Sequence, residues 1–327
     1  MAQNRNLNLD LIKIVAMVFV IGLHSIAKYT IEGININFYY KYTICGTAIP
    51  LFFTVSGYLL LGRKNINLNY SAKKIWGIVR FVFVVCWIYW LIMLIITQEP
   101  HWDKLYKDPL GAFLMGGTFW QFWYFGAMCL IYIIYPFLNK IYIKKHKHFL
   151  FIFISIITIC ANIYILNIVT PGTFEKKYPQ SLRIWNWLMY FCLGGIIKKS
   201  EKNYNWMWVL LLAIIYCVQL VIVRNINPSM MKPDYNFASP FTLFYIYILF
   251  QKLNSIDTYH ISKGIKTLSP LFLPVYTIHT GFIYAAPHIK LWFAPVAPIY
   301  WLLITIASIS VSWVFMQTKI GKWIFKI

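Results

Sequence analysis

The sequence predicts an all-α polytopic membrane protein with about ten transmembrane helices, and three observations carry that expectation. Of its 327 residues 60% are hydrophobic and only 12% are charged, a balance foreign to soluble globular domains. The apolar runs are long and continuous, as helices require when each backbone group is satisfied within its own segment, whereas a barrel would show short alternating runs. Carboxylates are almost excluded from those runs, Asp10 alone lying inside one.

Taken in order, spans are expected at approximately 9–27, 48–62, 75–97, 119–138, 149–169, 181–197, 206–223, 237–251, 268–286 and 297–317. The second and eighth are short. No connection is long enough to fold as a soluble unit, so residues 1–327 are expected to form a single integral membrane domain. An even number of spans puts both termini on one side, and Lys and Arg decide which. With the N-terminus inside, the cytoplasmic connections hold about twice as many of these residues as the outer ones. Both termini are therefore expected in the cytoplasm, and much of the net charge of +21 follows from topology without a nucleic acid partner. The first span does not read as a cleaved signal peptide, because Asp10 and Lys13 interrupt it and no small-residue cleavage site follows. The six cysteines are scattered singly, which suggests neither a metal site nor a disulfide framework.

The chemistry concentrates in the first span, DLIKIVAMVFVIGLH from Asp10 to His24. An ionisable side chain in a bilayer costs roughly 2.5–3.5 kcal/mol at the centre and is a functional suspect for that reason. Asp10 and Lys13 are spaced to pair on one helical face. His24 returns to nearly the same face about three turns, or roughly 16 Å, further along. A neutral imidazole can take a proton from a hydroxyl and return it. A second histidine, His279, lies midway along the ninth span. Each has a plainer reading: Lys13 as a snorkelling anchor, Asp10 as a solvated helix-start residue, and either histidine as a structural hydrogen-bonding group. Arg80 and Arg183, near span ends, read as snorkelling side chains.

Four stretches in order resemble the acyltransferase 3 family of integral membrane acyltransferases. The basic residue, ten intervening residues and histidine of its first helix correspond to Lys13 and His24. AIPLFFTVSGYLLLG, Ala48 to Gly62, is similar to the second-helix signature; FWQFWYFGAMCLIYIIYPFL, Phe119 to Leu138, resembles the Trp-containing fourth helix; and SPLFLPVYTIHTGFIY, Ser269 to Tyr284, is similar to the late helix with Tyr and His. Within the family the likeness is greatest to bacterial cell-envelope sugar O-acetyltransferases of the enterobacterial common antigen type.

The resemblance implies an enzyme of the bacterial cytoplasmic membrane that moves an acyl group, usually acetyl, from cytosolic acyl-CoA to a hydroxyl of an envelope glycan or lipid-linked sugar. No metal is implied. His24 would be the general base, Lys13 its basic partner and Asp10 the group that orients Lys13. Ser56, Gly57 and Tyr58 would border the substrate path, His279 would be a second polar contact, and Trp123 is a candidate to stack on a sugar. Arg63, Lys64, Lys73 and Lys74 could hold CoA phosphates. Alternatives stand beside these: close helix approach for Ser56 and Gly57, an interfacial aromatic belt for the tryptophans, and topology for the basic loop. Three departures are visible. Lys13 stands where Arg is more frequent, Gln121 stands where a histidine is frequent, and the paired arginines after the second helix have no clear counterpart. The competing class is a transporter or flippase of a polysaccharide or lipid-linked sugar, in which Lys13 and His24 would line a path without chemistry.

Overall fold

A computed structural model describes residues 5–25, 42–285 and 297–325. Residues 26, 27 and 286 of the expected spans, with Lys28, Lys41, Lys290 and Lys326 of the charge pattern, lie outside the described residues. Among the described residues there are no strands. In chain order the α-helices are α1 Leu7–Ser25, α2 Ala48–Leu60, α3 Leu68–Thr97, α4 Lys104–Phe113, α5 Trp123–Lys144, α6 His146–Val169, α7 Ile184–Lys199, α8 Trp206–Ile226, α9 Pro240–Asn254, α10 Ser262–Leu268, α11 Phe272–Ala285, α12 Ala297–Gln317 and α13 Lys319–Ile324.

Each of the ten expected segments carries a helix, and among the described residues six are long and apolar enough to cross a bilayer: Leu7–Ser25, Leu68–Thr97, Trp120–Lys144, His146–Val169, Trp206–Ile226 and Pro298–Gln317. The other four, α2, α7, α9 and α11, have 13, 16, 15 and 14 residues. That is short of the roughly 20 residues a span needs. Two of them, α2 and α7, are largely buried, whereas α9 and α11 bury one face and expose Phe241, Phe244 and Tyr284 on the other. All residues from Ala48 to Val55 in α2 are buried, and α7 is buried along most of its length. Around them, α3, α6, α8 and α12 expose large apolar side chains such as Ile95, Phe151, Leu210 and Val314, the surface expected towards lipid. Three helices fall outside the expected spans: α4, α10 and α13 are too short and polar for a hydropathy signal. Boundaries also moved for local reasons. Helix α3 begins at Leu68 rather than near 75 because the Asn67 side chain caps it, accepting from the Tyr70 amide at 2.9 Å.

The close crossing of α2 and α7 sets the interior. A Cβ on Gly57 would lie 1.8 Å from the Phe191 carbonyl oxygen, and one on Gly194 would lie 2.0 Å from that of Thr54. Two glycines thus let the backbones touch, the use small residues have in membrane bundles. The carbonyls freed where α2 ends find side-chain donors: Tyr135 donates to Leu60 at 2.7 Å and Lys198 to Leu61 at 2.7 Å. Asn139 closes the turn, accepting from the Gly62 amide at 2.8 Å and donating to Arg63 at 2.9 Å. Without these bonds, buried carbonyls would stand unsatisfied in a low-dielectric interior.

Adding a methyl group at either glycine must push two backbones apart. Gly57→Ala and Gly194→Ala are each expected to destabilise the fold by about 1–3 kcal/mol. Gly264→Ala, where nothing lies within 4 Å of the added atom, is expected to leave stability unchanged or raised. Thermal unfolding in detergent, followed by size-exclusion chromatography, checks all three.

Candidate active site

His24 sits in the last turn of α1, where two rings meet it. Trp120 approaches edge-on with ring centroids 4.9 Å apart and planes at 89°. The His279 ring lies nearly parallel, centroids 5.4 Å apart and planes at 23°. Trp120 belongs to a 3-10 turn, Trp120–Phe122, that leads into α5. A stripe on α11 with the i, i+4, i+8 spacing of one helical face fastens this turn. Tyr276 donates to the backbone carbonyl of Gln121, the Gln121 amide donates to the Thr280 hydroxyl at 3.0 Å, and the Trp120 indole donates to the Tyr284 hydroxyl at 3.1 Å. Gln121 thus ties the start of α5 to α11.

His279 is fully buried. Its Nδ1 lies 3.2 Å from the Val275 carbonyl, one turn earlier on α11. A carbonyl can only accept, so Nδ1 carries the hydrogen and Nε2 keeps its lone pair. That Nε2 has no hydrogen-bond partner among the described residues, and neither has the Oε1 of Gln121.

The other side of His24 opens on a cavity of about 240 Å³. Its wall combines aromatic surface, Tyr42, Trp120, Trp123 and Tyr276, with the polar groups of Gln180, Lys232 and Asp234. Burial pushes the Tyr42 phenol up to about 12, with the Asp234 carboxylate adding to it. Lys232 and Asp234 arrive on the segment between α8 and α9, which a buried network pins. Arg183 donates to the Asp234 and Tyr178 carbonyls at 3.2 Å and covers the Tyr235 ring at 5.1 Å. It is 5% exposed, which corrects the snorkelling expectation. Behind it Glu175, fully buried, accepts from Asn167, Trp185 and Asn186 at 2.7, 2.7 and 2.9 Å. Burial raises the Glu175 carboxyl above its ordinary 4.5, against the lowering pull of Arg183 and the three donors.

The opposite end of α1 holds a separate cluster. Asp10 accepts from Arg5 Nε at 2.5 Å and from Lys13 Nζ at 3.1 Å, and Arg5 donates onward to Ser269 at 2.8 Å. An aromatic layer stands between the two ends, built on Phe52 of α2, with Phe272 at 4.7 Å and Tyr124 at 6.0 Å, and Tyr276 at 6.0 Å from Phe272. Of the residues singled out in sequence, His24, His279 and Trp123 gather at one end, although His279 lies behind the cavity wall rather than on it. Lys13 and Asp10 gather at the other. Ser56 sits between, its hydroxyl donating to Phe52 at 2.9 Å. Gly57 faces the backbone of α7, and the Tyr58 hydroxyl donates to Glu201. Arg63 donates to the Leu59 carbonyl at 2.8 Å and to Tyr70 at 3.4 Å. Lys64 and Lys73 are exposed and Lys74 is half-buried. Among the described residues, no group of three or more His, Cys, Asp or Glu could hold a metal ion. Sequence reasoning missed the roles of Tyr42, Gln180, Lys232 and Asp234, which lie outside the membrane helices and carry no periodic signal. The Tyr276, Thr280, Tyr284 stripe was readable as a four-residue period.

A family model described as "Acyltransferase domain" matches residues 6–317. Similarity extends to two amino-acid racemases of Enterococcus faecalis. One is 27% identical over 134 residues, covering 38% of this chain and 18% of the relative. The other is 21% identical over 211 residues, covering 60% of this chain and 29% of the relative. The chain therefore spans less than a third of the length of these curated relatives. No solved structure matches it.

The Glu175 network yields a pH dependence. Its folded pKa lies above the ordinary value, so its stabilising contribution is complete below about 4.5 and is lost as pH rises through the folded value. Melting curves across that range are expected to show a falling midpoint in the wild type. Glu175→Gln, which cannot ionise but turns an amide N–H towards one of the three donors, is expected to flatten that slope and to lower the midpoint by the loss of about one buried hydrogen bond, roughly 1–3 kcal/mol.

Proposed function

Since this chain belongs to the acyltransferase domain family and carries, among the described residues, six helices long and apolar enough to cross a membrane, we propose that it is a membrane acyltransferase that moves an acetyl group from cytosolic acetyl-CoA to a hydroxyl of a cell-envelope glycan or lipid-linked sugar, with His24 as general base. The observation that carries this reading is the position of His24 on the wall of a cavity that offers aromatic faces and polar side chains together. Sugars suit such a lining, with the apolar faces of the ring against Trp120 or Trp123 and the hydroxyls towards Gln180 and Asp234. The reading takes the cytoplasmic membrane as location, both termini in the cytoplasm and residues 1–327 as one membrane domain.

In the direct form of the reaction, the acceptor hydroxyl gives its proton to His24 as its oxygen bonds to the thioester carbonyl carbon. The carbon–sulfur bond breaks, and the departing thiolate takes the proton back from His24. General-base help of this kind is typically worth 10² to 10⁴-fold. Arg5, Lys13 and the basic residues Arg63, Lys64, Lys73 and Lys74 supply positive charge for the CoA phosphates at the other end of the bundle, and Asp10 orients Lys13 through the 3.1 Å bond. The thioester arm then bridges the roughly 16 Å from Lys13 to His24.

Two expected outcomes follow. With purified protein in bilayers, acetyl-CoA and a panel of free and lipid-linked glycans, His24→Ala is expected to lower CoA release and glycan acetylation by about 10² to 10⁴-fold. A folded protein that exports glycan equally well with or without His24, and consumes no acyl-CoA, would instead be a transporter. Lys13→Ala is expected to raise KM for acetyl-CoA by about ten- to a hundredfold, the worth of one charged hydrogen bond. Steady-state kinetics over a salt series checks this, since screening shrinks the difference.

A further inference from the structure

The Nε2 of His279 is a buried acceptor with no partner among the described residues, beside the residue proposed as base. Leaving such an atom unpaired forfeits the solvation it had in water, so its retention asks for a reason. Contact with substrate is not that reason, because His279 is fully buried and does not line the cavity. The ring cannot turn freely either. Its Nδ1 is committed to the Val275 carbonyl at 3.2 Å, which aims one lone pair, and no hydrogen, from the opposite edge.

We propose that His279 is a positioning residue whose Nε2 accepts a hydrogen bond from the imidazolium that forms on His24 during acyl transfer, an inference that rests on the reading of His24 as base. With centroids 5.4 Å apart and planes only 23° from parallel, the two rings need only a turn of His24 for their edges to meet at hydrogen-bond distance. Catalytic hydrogen bonds are often loose without substrate and tighten in the reacting complex. The logic is that of the third member of a hydrolase triad, which fixes the tautomer of the histidine base and stabilises its cation. A carboxylate fills that role in hydrolases. Here a neutral imidazole does so, and it adds no second charge to be buried in the membrane.

The groups that face His24 define the controls. From α11 they are His279 and Tyr276; from the 3-10 turn, Trp120; and across the cavity, Tyr42, Lys232 and Asp234. Asp10 and Lys13 are on α1 itself but at its other end. Among the described residues that line the cavity, Asp234 is the anionic side chain that could stabilise a His24 cation in place of His279.

The test is nitrogen-15 histidine NMR of the full chain in nanodiscs, titrated with pH, together with pH–rate profiles of acetyl transfer. In the wild type His279 should remain the Nδ1–H tautomer. In His279→Phe the His24 pKa should fall by about one unit, a tenfold change in acid dissociation constant, and kcat should fall while KM for acetyl-CoA holds. His279→Gln, which keeps a side-chain acceptor, should restore part of both, and Asp234→Asn should not reproduce the shift. If His279→Phe does not fold, the comparison of His279→Gln with His279→Leu replaces it. An unmoved His24 pKa in a folded variant lacking the acceptor overturns the proposal, as does a shift produced by Asp234→Asn alone. Because the NMR titration needs no turnover, the role of His279 stands or falls separately: a shifted His24 pKa in a protein that transfers no acetyl group would sink the acyl-transfer reading and leave the histidine pair intact.

Discussion

The fastening of the Trp120–Phe122 turn to α11 is the contact on which the rest of the site depends. Trp120, Trp123 and His279 reach His24 from two different helices, and nothing in α1 itself could align them. The bonds to Tyr276, Thr280 and Tyr284 fix the vertical register of α5 against α11 at three successive turns. One of these is to the backbone carbonyl of Gln121 inside the 3-10 turn that leads into α5. The same bonds therefore hold the turn in place and shape the wall of the cavity. In a membrane interior those two tasks cannot be separated, since an unsatisfied carbonyl and a misplaced ring would both follow from losing the register.

A bilayer also explains why polarity is confined to the two ends. Charged groups occur where α1 begins, each paired: Asp10 with Arg5 and Lys13, Arg5 also with Ser269. The polar cavity occurs where α1 ends. Between them the rings of Phe52, Tyr124, Phe272 and Tyr276 form a cluster of tilted and edge-on contacts. Short interior helices are what make this possible: α2, with its glycine crossing on α7, brings Phe52 to the middle of the bundle without needing to span the bilayer itself.

Much of this was legible in the sequence, for physical reasons that also mark the boundary of what was not. Apolar length gave all ten helical segments, because hydrocarbon enforces helices. It did not distinguish α2, α7, α9 and α11 from full spans, since burial in protein and burial in lipid select the same residues. The isolation of Asp10, Lys13 and His24 in an apolar run pointed to both polar ends at once, and their spacing gave the separation. His279 was visible as an ionisable residue in a span, but its role depended on the Val275 carbonyl and on the absence of a cavity contact, which no spacing encodes. Arg183 misled because a basic residue near a helix end reads as snorkelling until its carbonyl partners are known. Glu175, Lys232 and Asp234 lie in irregular segments, where chain order says nothing of what meets what.

The arrangement also bears on how donor and acceptor come together. If the CoA phosphates stay with the charge around Lys13 while the acceptor sugar occupies the cavity beside His24, only the slender thioester arm has to pass the aromatic layer. Charge then never enters the middle of the bundle, and the costly desolvation of phosphate is avoided. The reacting carbonyl would emerge among Phe52, Phe272 and Tyr276, a water-poor setting in which hydrolysis of the thioester is suppressed and the His24 base acts on the one hydroxyl that the cavity admits. A soluble acyltransferase can bind both substrates in one cleft. On the proposed reading, donor and acceptor are held apart by the roughly 16 Å that the eleven-residue interval between Lys13 and His24 sets along α1.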